Sequence, residues 1–314
     1  MTNLHRIFYG LFLASCFLLL SACSLRKPAT AITADTLTRG MAAVETEEDV
    51  FVAEESALSL IKILDVLHYG DPKNEKFLGL LAKAYGNYAF GFAELEGMKN
   101  CHPSESGDPV NSLDSCFRRN DISNTWQTRA KNFYAKGRDF GISALSSGKK
   151  SIADLPLPEF EKHIKKFGKK DVPNLFWTAF NWGSFINMSR EDIIAAADLP
   201  RVQLIVDRVI DLQPDFQCGI AYAFKGALLA GNPFLTGSKP ETAKPYFETA
   251  SAFCNGGYLM TKVMYAEWFA CATGDNKLFH DILSDVIGAD ASILPEHRLA
   301  NELAKERAAV LLKK

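Results

Sequence analysis

Charge of one sign is missing from this sequence. Against 35 Lys and Arg stand 37 Asp and Glu over 314 residues, a formal net charge of −2. Without a broad basic face the chain has little with which to displace counterions from a phosphate backbone, so nucleic acid is not expected as a partner. Long apolar runs are absent beyond the first two dozen residues, and a helix needs about 20 predominantly apolar residues to span a bilayer. The body is therefore expected to be soluble. Alternating apolar and polar stretches joined by Asn-Gly or Asp-Gly are also lacking, which argues against strands in quantity. Cysteine is sparse and unpatterned. Of seven, none forms a C-x-x-C pair, which leaves zinc and thioredoxin-like chemistry without a motif. There is no H-E-x-x-H, no G-x-S-x-G and no phosphate-binding loop, the usual carriers of hydrolytic or phosphoryl chemistry. His68, His102, His163, His280 and His297 are isolated, with no pair at i, i+4. No catalytic residue, metal site or cofactor is expected.

The first residues are patterned. Met1 to Arg6 is short and polar, Ile7 to Leu20 almost wholly apolar, and Leu20-Ser21-Ala22-Cys23 follows. That is the tripartite layout of an export signal, with an apolar stretch too short for a transmembrane helix. Its ending resembles the lipobox of bacterial lipoproteins; the alternative is an ordinary signal with a chance cysteine. The lipobox resemblance implies removal of residues 1–22. It also implies diacylglycerol and an acyl chain (palmitate in type) on Cys23, several chains making a stable anchor where one is marginal. Ser24 after that cysteine implies, by the sorting rules of two-membrane bacteria, the outer membrane and a body facing the periplasm. Residues 23–46, rich in Ala and Thr, read as a tether. In an oxidising compartment five cysteines remain, so at least one is unpaired; Cys101 and Cys116 are placed to bridge within one loop.

From residue 47 to 314 the pattern is helical. Phe77, Leu81, Tyr85, Tyr88, Phe92 and Leu95 recur at steps of three and four, as do Ala130, Phe133, Tyr134, Phe140 and Ala144. Spacings of the TPR kind (small, large apolar, small, proline) recur at Ala243, Phe247 and Ala250. Leu60, Leu64, Leu67 and Pro72 keep the same steps, as do Val202, Val206, Val209 and Pro214. The Gly70–Asn74 and Gln213–Asp215 stretches are then breaks, since proline cannot continue the preceding helix. The expected class is all-α, with stacked TPR-like helical hairpins in a compact superhelical domain. Residues 98–123 break the periodicity. Their Leu-Asp-Ser-Cys-Phe-Arg-Arg-Asn-Asp string (residues 113–121) resembles translated mobile palindromic repeats, and they read as a passive surface insertion or, alternatively, a lid.

Four further stretches carry a family resemblance. They are Asp71-Pro-Lys-Asn with Leu80-Leu-Ala-Lys-Ala-Tyr-Gly-Asn-Tyr-Ala89, and Arg129-Ala-Lys-Asn-Phe-Tyr134. The other two are Leu175-Phe-Trp-Thr-Ala-Phe-Asn-Trp-Gly183, and a C-terminal set ending in Pro295-Glu-His-Arg-Leu-Ala-Asn301. Together they resemble the TRAP transporter T-component family. That resemblance implies a lipidated, helical protein that partners the periplasmic solute-binding protein of a TRAP system and transfers a small organic or partly apolar ligand. A homo-trimer is consistent with it. The rival reading is an envelope scaffold that holds protein partners and takes no small ligand.

Candidate ligand residues follow from chemistry. Phe176, Trp177, Phe180, Trp182 and Phe185 are the densest aromatic cluster, and Asn181 would supply one orienting polar group. Core packing between helices is the competing account of each. Lys262 is placed to meet a carboxylate, or to lie on a solvated face; Tyr265, Tyr88 and Asn87 carry the same ambiguity.

Overall fold

A computed structural model describes residues 29–100, 121–146, 150–189, 191–231 and 239–313. The leader, Cys23, Cys101 and Cys116 lie outside the described residues. The described residues form helices and connecting turns, with no strand among them. In order they are α1 (residues 29–45), α2 (Val50–Gly70), α3 (Glu75–Tyr88) and α4 (Glu94–Lys99). Next come α5 (Asp121–Leu145), α6 (Leu157–Ile164), α7 (Val172–Asn187), α8 (Leu199–Leu212) and α9 (Ile220–Gly231). Last are α10 (Lys244–Ala252), α11 (Leu259–Met264), α12 (Asn276–Gly288) and α13 (Arg298–Leu311).

Local chemistry sets the breaks. Helix α2 stops at Gly70 and α3 starts after Asn74, whose side-chain oxygen accepts the N–H groups of Lys76 and Phe77. That is an N-cap, worth about 1 kcal/mol. Pro72 lies between them, and Pro214 follows the end of α8 in the same way. Pro173 sits in the first turn of α7, where its missing N–H costs nothing. Residues 101–120, the bulk of the expected insertion, lie outside the described residues; α4 runs to Lys99 and α5 begins at Asp121.

Packing runs from neighbour to neighbour: α2 on α3, α3 on α5, α5 on α7, α7 on α8, α9 on α10, and both α11 and α12 on α13. The last helix returns to touch α2 and α4. This all-α order is compatible with TPR-like hairpins.

At the α3–α5–α7 crossing, small residues replace bulk. A Cβ added at Gly86 or Gly137 would stand 2.8 or 2.4 Å from Asn181 Oδ1, and one at Gly141 would stand 2.9 Å from the Thr178 Cα. Asn181 is fully buried and donates to the carbonyls of Trp177 (2.6 Å) and Ala82 (2.9 Å). It is thus a spacer that ties α7 to α3, which is why glycines face it.

The stretch expected as a loose tether is helical from residue 29. Thr30, Ala34, Leu37, Met41 and Val44 follow at steps of four and three and form its least exposed stripe. The stripe is narrow and mostly small, with Ala34 and Met41 its buried members. Two left-handed turns, Gln217–Gly219 and Cys254–Gly256, face each other and are joined by the Cys218–Cys254 disulfide, with a Cα–Cα distance of 5.5 Å.

Two substitutions test this account of packing. Gly141→Ala should destabilise by about 1–3 kcal/mol in urea denaturation, because overpacking against the α7 backbone outweighs the ~1 kcal/mol helix-propensity gain. Gly40→Ala, on α1 with nothing within 4 Å of the added methyl, should be neutral or stabilising. Equal effects at the two sites would refute the crossing geometry.

Candidate functional site

Apolar side chains from distant parts of the chain converge on a cavity of ≈ 120 Å³. On the same measure an enclosed cavity of about 150 Å³ accepts benzene, and one water needs about 10–15 Å³. Helix α7 supplies Phe176, Trp177 and Phe180, while the end of α3 and its π-helical extension (Ala89–Ala93) supply Asn87, Phe90, Gly91 and Phe92. The α11 segment gives Tyr258, Met260 and Met264; the start of α13 gives His297, Leu299, Ala300 and Leu303. Gln217, from the disulfide-tied turn, closes one edge, while Met41, Val44 and Glu45 of α1 close another.

Polar groups in this lining are few. Glu45 is paired with Lys83 in a short ion pair. Burial pushes the His297 pKa below its ordinary value, against an opposing pull from Glu45, so the ring is neutral at pH 7. Its ring lies edge-on to Tyr258 at 5.0 Å, and burial raises the Tyr258 phenol well above its usual range. The Tyr258 corner is set by Asn301, fully buried and fully satisfied. Its side-chain oxygen accepts the Leu259 N–H at 2.9 Å, while its amide donates to Gly257 (2.9 Å) and Ala291 (3.2 Å). The arrangement offers an apolar envelope with orienting dipoles and no unpaired cation among the lining residues described.

A smaller cavity of ≈ 30 Å³ adjoins the first, and Phe90, Phe180 and Met264 line both. It reaches Glu94, Ser184, Asn187 and Trp268. Two π-helical turns, Ala89–Ala93 between α3 and α4 and Tyr265–Ala270 after α11, contribute Phe90 and Trp268 to its lining. Such turns widen a helix by one residue and recur at functional sites.

Arg307 links the two widened turns. It is 3 % exposed and donates to Glu267 at 2.8 Å, to Glu94 at 2.9 Å and to the Phe90 carbonyl at 3.3 Å, with its guanidinium 4.4 Å above the Phe90 ring. Tyr134 donates to the other oxygen of Glu94 at 2.6 Å. Burial is the larger influence on Glu94 and raises its pKa, with Arg307 and Tyr134 pulling it back; the same carboxylates hold the guanidinium charged.

Of the residues singled out from sequence, Phe176, Trp177, Phe180 and Asn87 line the main cavity, and those that follow do not. Asn181 is the inter-helix spacer described above. Trp182 packs edge-on against Phe160 at 6.4 Å. Tyr88 donates to Glu54 at 3.1 Å beneath Arg129, and burial, its main influence, pushes its phenol up to about 12. Tyr265 stacks on Phe247 at 5.2 Å. Lys262 is paired with Asp285 at 2.7 Å, away from the cavity. Met260, Met264, Tyr258 and His297 were missed; the only signal was their place within the C-terminal set that carries the family resemblance, whose other pieces include Tyr258 to Glu267. Cys271 is unpaired, and burial together with Glu267 pushes its thiol up to about 11.

The described residues form an all-helical body with an apolar cavity and hold no metal-ligating cluster among them. Comparison with known sequences supplies the class: the chain belongs to the TRAP transporter T-component family, whose sequence model matches residues 46–314. An uncharacterized protein of Treponema pallidum (strain Nichols) is 20 % identical over 266 residues, a span covering 83 % of this chain and 78 % of that protein. The family is one of transport components rather than enzymes, and a TRAP component belongs to the cell envelope. No helix of the described residues is long and apolar enough to cross a membrane.

Removing the guanidinium would leave two carboxylates facing each other out of water. Arg307→Met is expected to cost about 3–5 kcal/mol, the usual penalty for breaking a buried pair. Glu94 has a folded pKa raised above its unfolded value of 4.5, so its unfavourable contribution is absent below that pH and grows as pH rises through the folded value. The deficit of Arg307→Met should therefore be smaller at pH 5 than at pH 8 in urea denaturation. A deficit independent of pH would contradict the assignment.

Proposed function

We propose that this protein is an envelope-anchored TRAP accessory component that holds a small, mainly apolar ligand in the cavity between α7, the α3 extension, α11 and α13. It exchanges that ligand with the periplasmic solute-binding protein of its transport system. The observation that carries the reading is the lining itself: aromatic and Met side chains with a neutral His297, an already paired Glu45 and no free cation among the lining residues described. Desolvating an ionised ligand there would cost several kcal/mol with nothing to offset it, so the enclosed part of the ligand is uncharged. Lys262, open to a carboxylate ligand or a solvated face on sequence grounds, pairs with Asp285 and has no place in this reading. Anchorage is assigned to lipid on Cys23, which places the body at a membrane surface, the outer membrane by the sorting rule that Ser24 follows.

Native mass spectrometry of the protein taken from its own envelope tests the partner. Co-purification with a solute receptor, or retention of a neutral small molecule, is the expected result. Association with other envelope proteins alone would favour the scaffold. Filling the cavity tests the ligand: Ala300→Phe should weaken binding of the uncharged fluorescent probe N-phenyl-1-naphthylamine at least about tenfold, roughly 1.4 kcal/mol, while leaving the melting temperature unchanged. Unaltered probe affinity in a folded Ala300→Phe protein would move the ligand site elsewhere.

A further inference from the structure

Most of the lining of the main cavity comes from residues that the family model matches, and one edge does not. The match begins at residue 46, whereas Met41, Val44 and Glu45 of α1 line the cavity from just upstream. These residues therefore belong to the site without belonging to the matched region.

How α1 is held sets it apart from its neighbours. Its apolar stripe buries only Ala34 and Met41 fully, with Leu37 partly buried. Polar pins supplement the stripe: Thr30 donates to Asp71 at 2.8 Å, Lys76 pairs with Asp35 at 2.5 Å, and Lys83 pairs with Glu45. All three attach α1 to α3 or the turn before it, so α1 lies along α3 like a strap. Its C-terminal end meets the turn before α2. There Asp49 caps α2 by accepting the N–H groups of Phe51 and Val52, and Glu48 pairs with Arg298 at 2.7 Å, next to the cavity residue His297. A segment fixed at a capped turn, lightly buried, and pinned mainly by partly exposed ion pairs is built to lift locally without unfolding the body.

We propose that α1 is both the missing wall of the ligand cavity and its gate. Met41 and Val44 contact the occupant, and breaking the Lys83–Glu45 and Lys76–Asp35 pairs is the step that admits or releases it. The proposal rests on the cavity being the ligand site. It also ties ligand access to the N-terminal part of the chain, where Cys23 lies upstream of the strap.

The test uses the chain from Ser24 onward, which retains every described residue. In one variant both pins are broken by Lys76→Glu and Lys83→Glu; in a second, Asp35→Lys and Glu45→Lys are added to restore them with the charges exchanged. Hydrogen exchange of the α1 amides reports strap opening, and stopped-flow fluorescence of N-phenyl-1-naphthylamine reports uptake and release. The pin-broken variant should exchange α1 faster and raise both probe rates by about tenfold, as for a lid whose open population increases. The exchanged pins should return both readouts toward the parent. Faster α1 exchange with unchanged probe rates would overturn the gate while leaving the cavity as the ligand site. Unchanged α1 exchange would show that the pins do not hold the strap, and would overturn it as well. Failure of the probe to bind any form, with α1 still responding, would bring down the cavity reading and the gate together.

Discussion

The structure depends on a single guanidinium. Arg307, near the end of the chain, meets Glu94 and Glu267 out of water. Those three charges come from α13, α4 and the π turn after α11, so the pairing fixes the last helix against one segment 213 residues earlier and another 40 residues earlier. Buried pairs are weak evidence for net stability, because desolvation offsets most of the attraction. Their stronger effect is to forbid alternatives. Any packing that displaced α13 would strand a charge in an apolar interior. The widened turns at Ala89–Ala93 and Tyr265–Ala270 are held in that geometry by the same side chain, which reaches a carbonyl of the first and a carboxylate of the second. Cavity walls and charge network are thus one construction.

A second constraint works by absence of bulk. At the crossing of α3, α5 and α7, glycines let Asn181 and Thr178 sit where side chains would otherwise keep the helices apart. Close approach there brings Phe176, Trp177 and Phe180 of α7 toward the α3 extension, and the cavity opens along the edge of that contact. Asn301 does the equivalent for the other wall, with every hydrogen-bonding group of its amide used to seat Tyr258 and Leu259. The apolar lining is therefore bordered by buried amides that bind backbone, which keeps the envelope rigid while its own surface stays oily.

Much of this was legible in residue order, and the reason is periodicity. Steps of three and four in residues 77–95 and 130–144 report local geometry, and proline at 72, 173 and 214 marks boundaries whatever the tertiary context. The aromatic density of 176–185 also lies on a helix that lines the main cavity. What it could not assign was direction. On a helix touched from several sides, Trp177 faces the cavity while Trp182 packs on Phe160 and Asn181 faces glycines, and only the neighbours decide which. Tyr258, Met260, Met264 and His297 join the site through contacts between segments far from α7 in sequence, and the Cys218–Cys254 pairing depends on two turns whose proximity no local pattern encodes. The strap was missed for a different reason. Its Ala- and Thr-rich composition resembles a linker, while its stripe of Ala34, Leu37, Met41 and Val44 is a helical signal too narrow to stand out.

That narrowness matters for function. A wide apolar stripe would make α1 a permanent part of the core, and its lifting would expose enough surface to be prohibitive. A wholly polar segment would leave the cavity open to water. A stripe of small and flexible side chains, supplemented by ion pairs at partly exposed positions, lies between these limits. Exposed pairs are individually worth about 0–1 kcal/mol, so they bias a local equilibrium without locking it. The boundary at residue 46 then has a physical meaning: the matched region is a rigid cup, and the segment upstream decides how much of the time the cup is covered. A ligand judged from the cup alone would seem free to carry a charged group toward solvent. With α1 in place Glu45 and its lysine partner stand at that edge, so an occupant meets a charge there that is already paired.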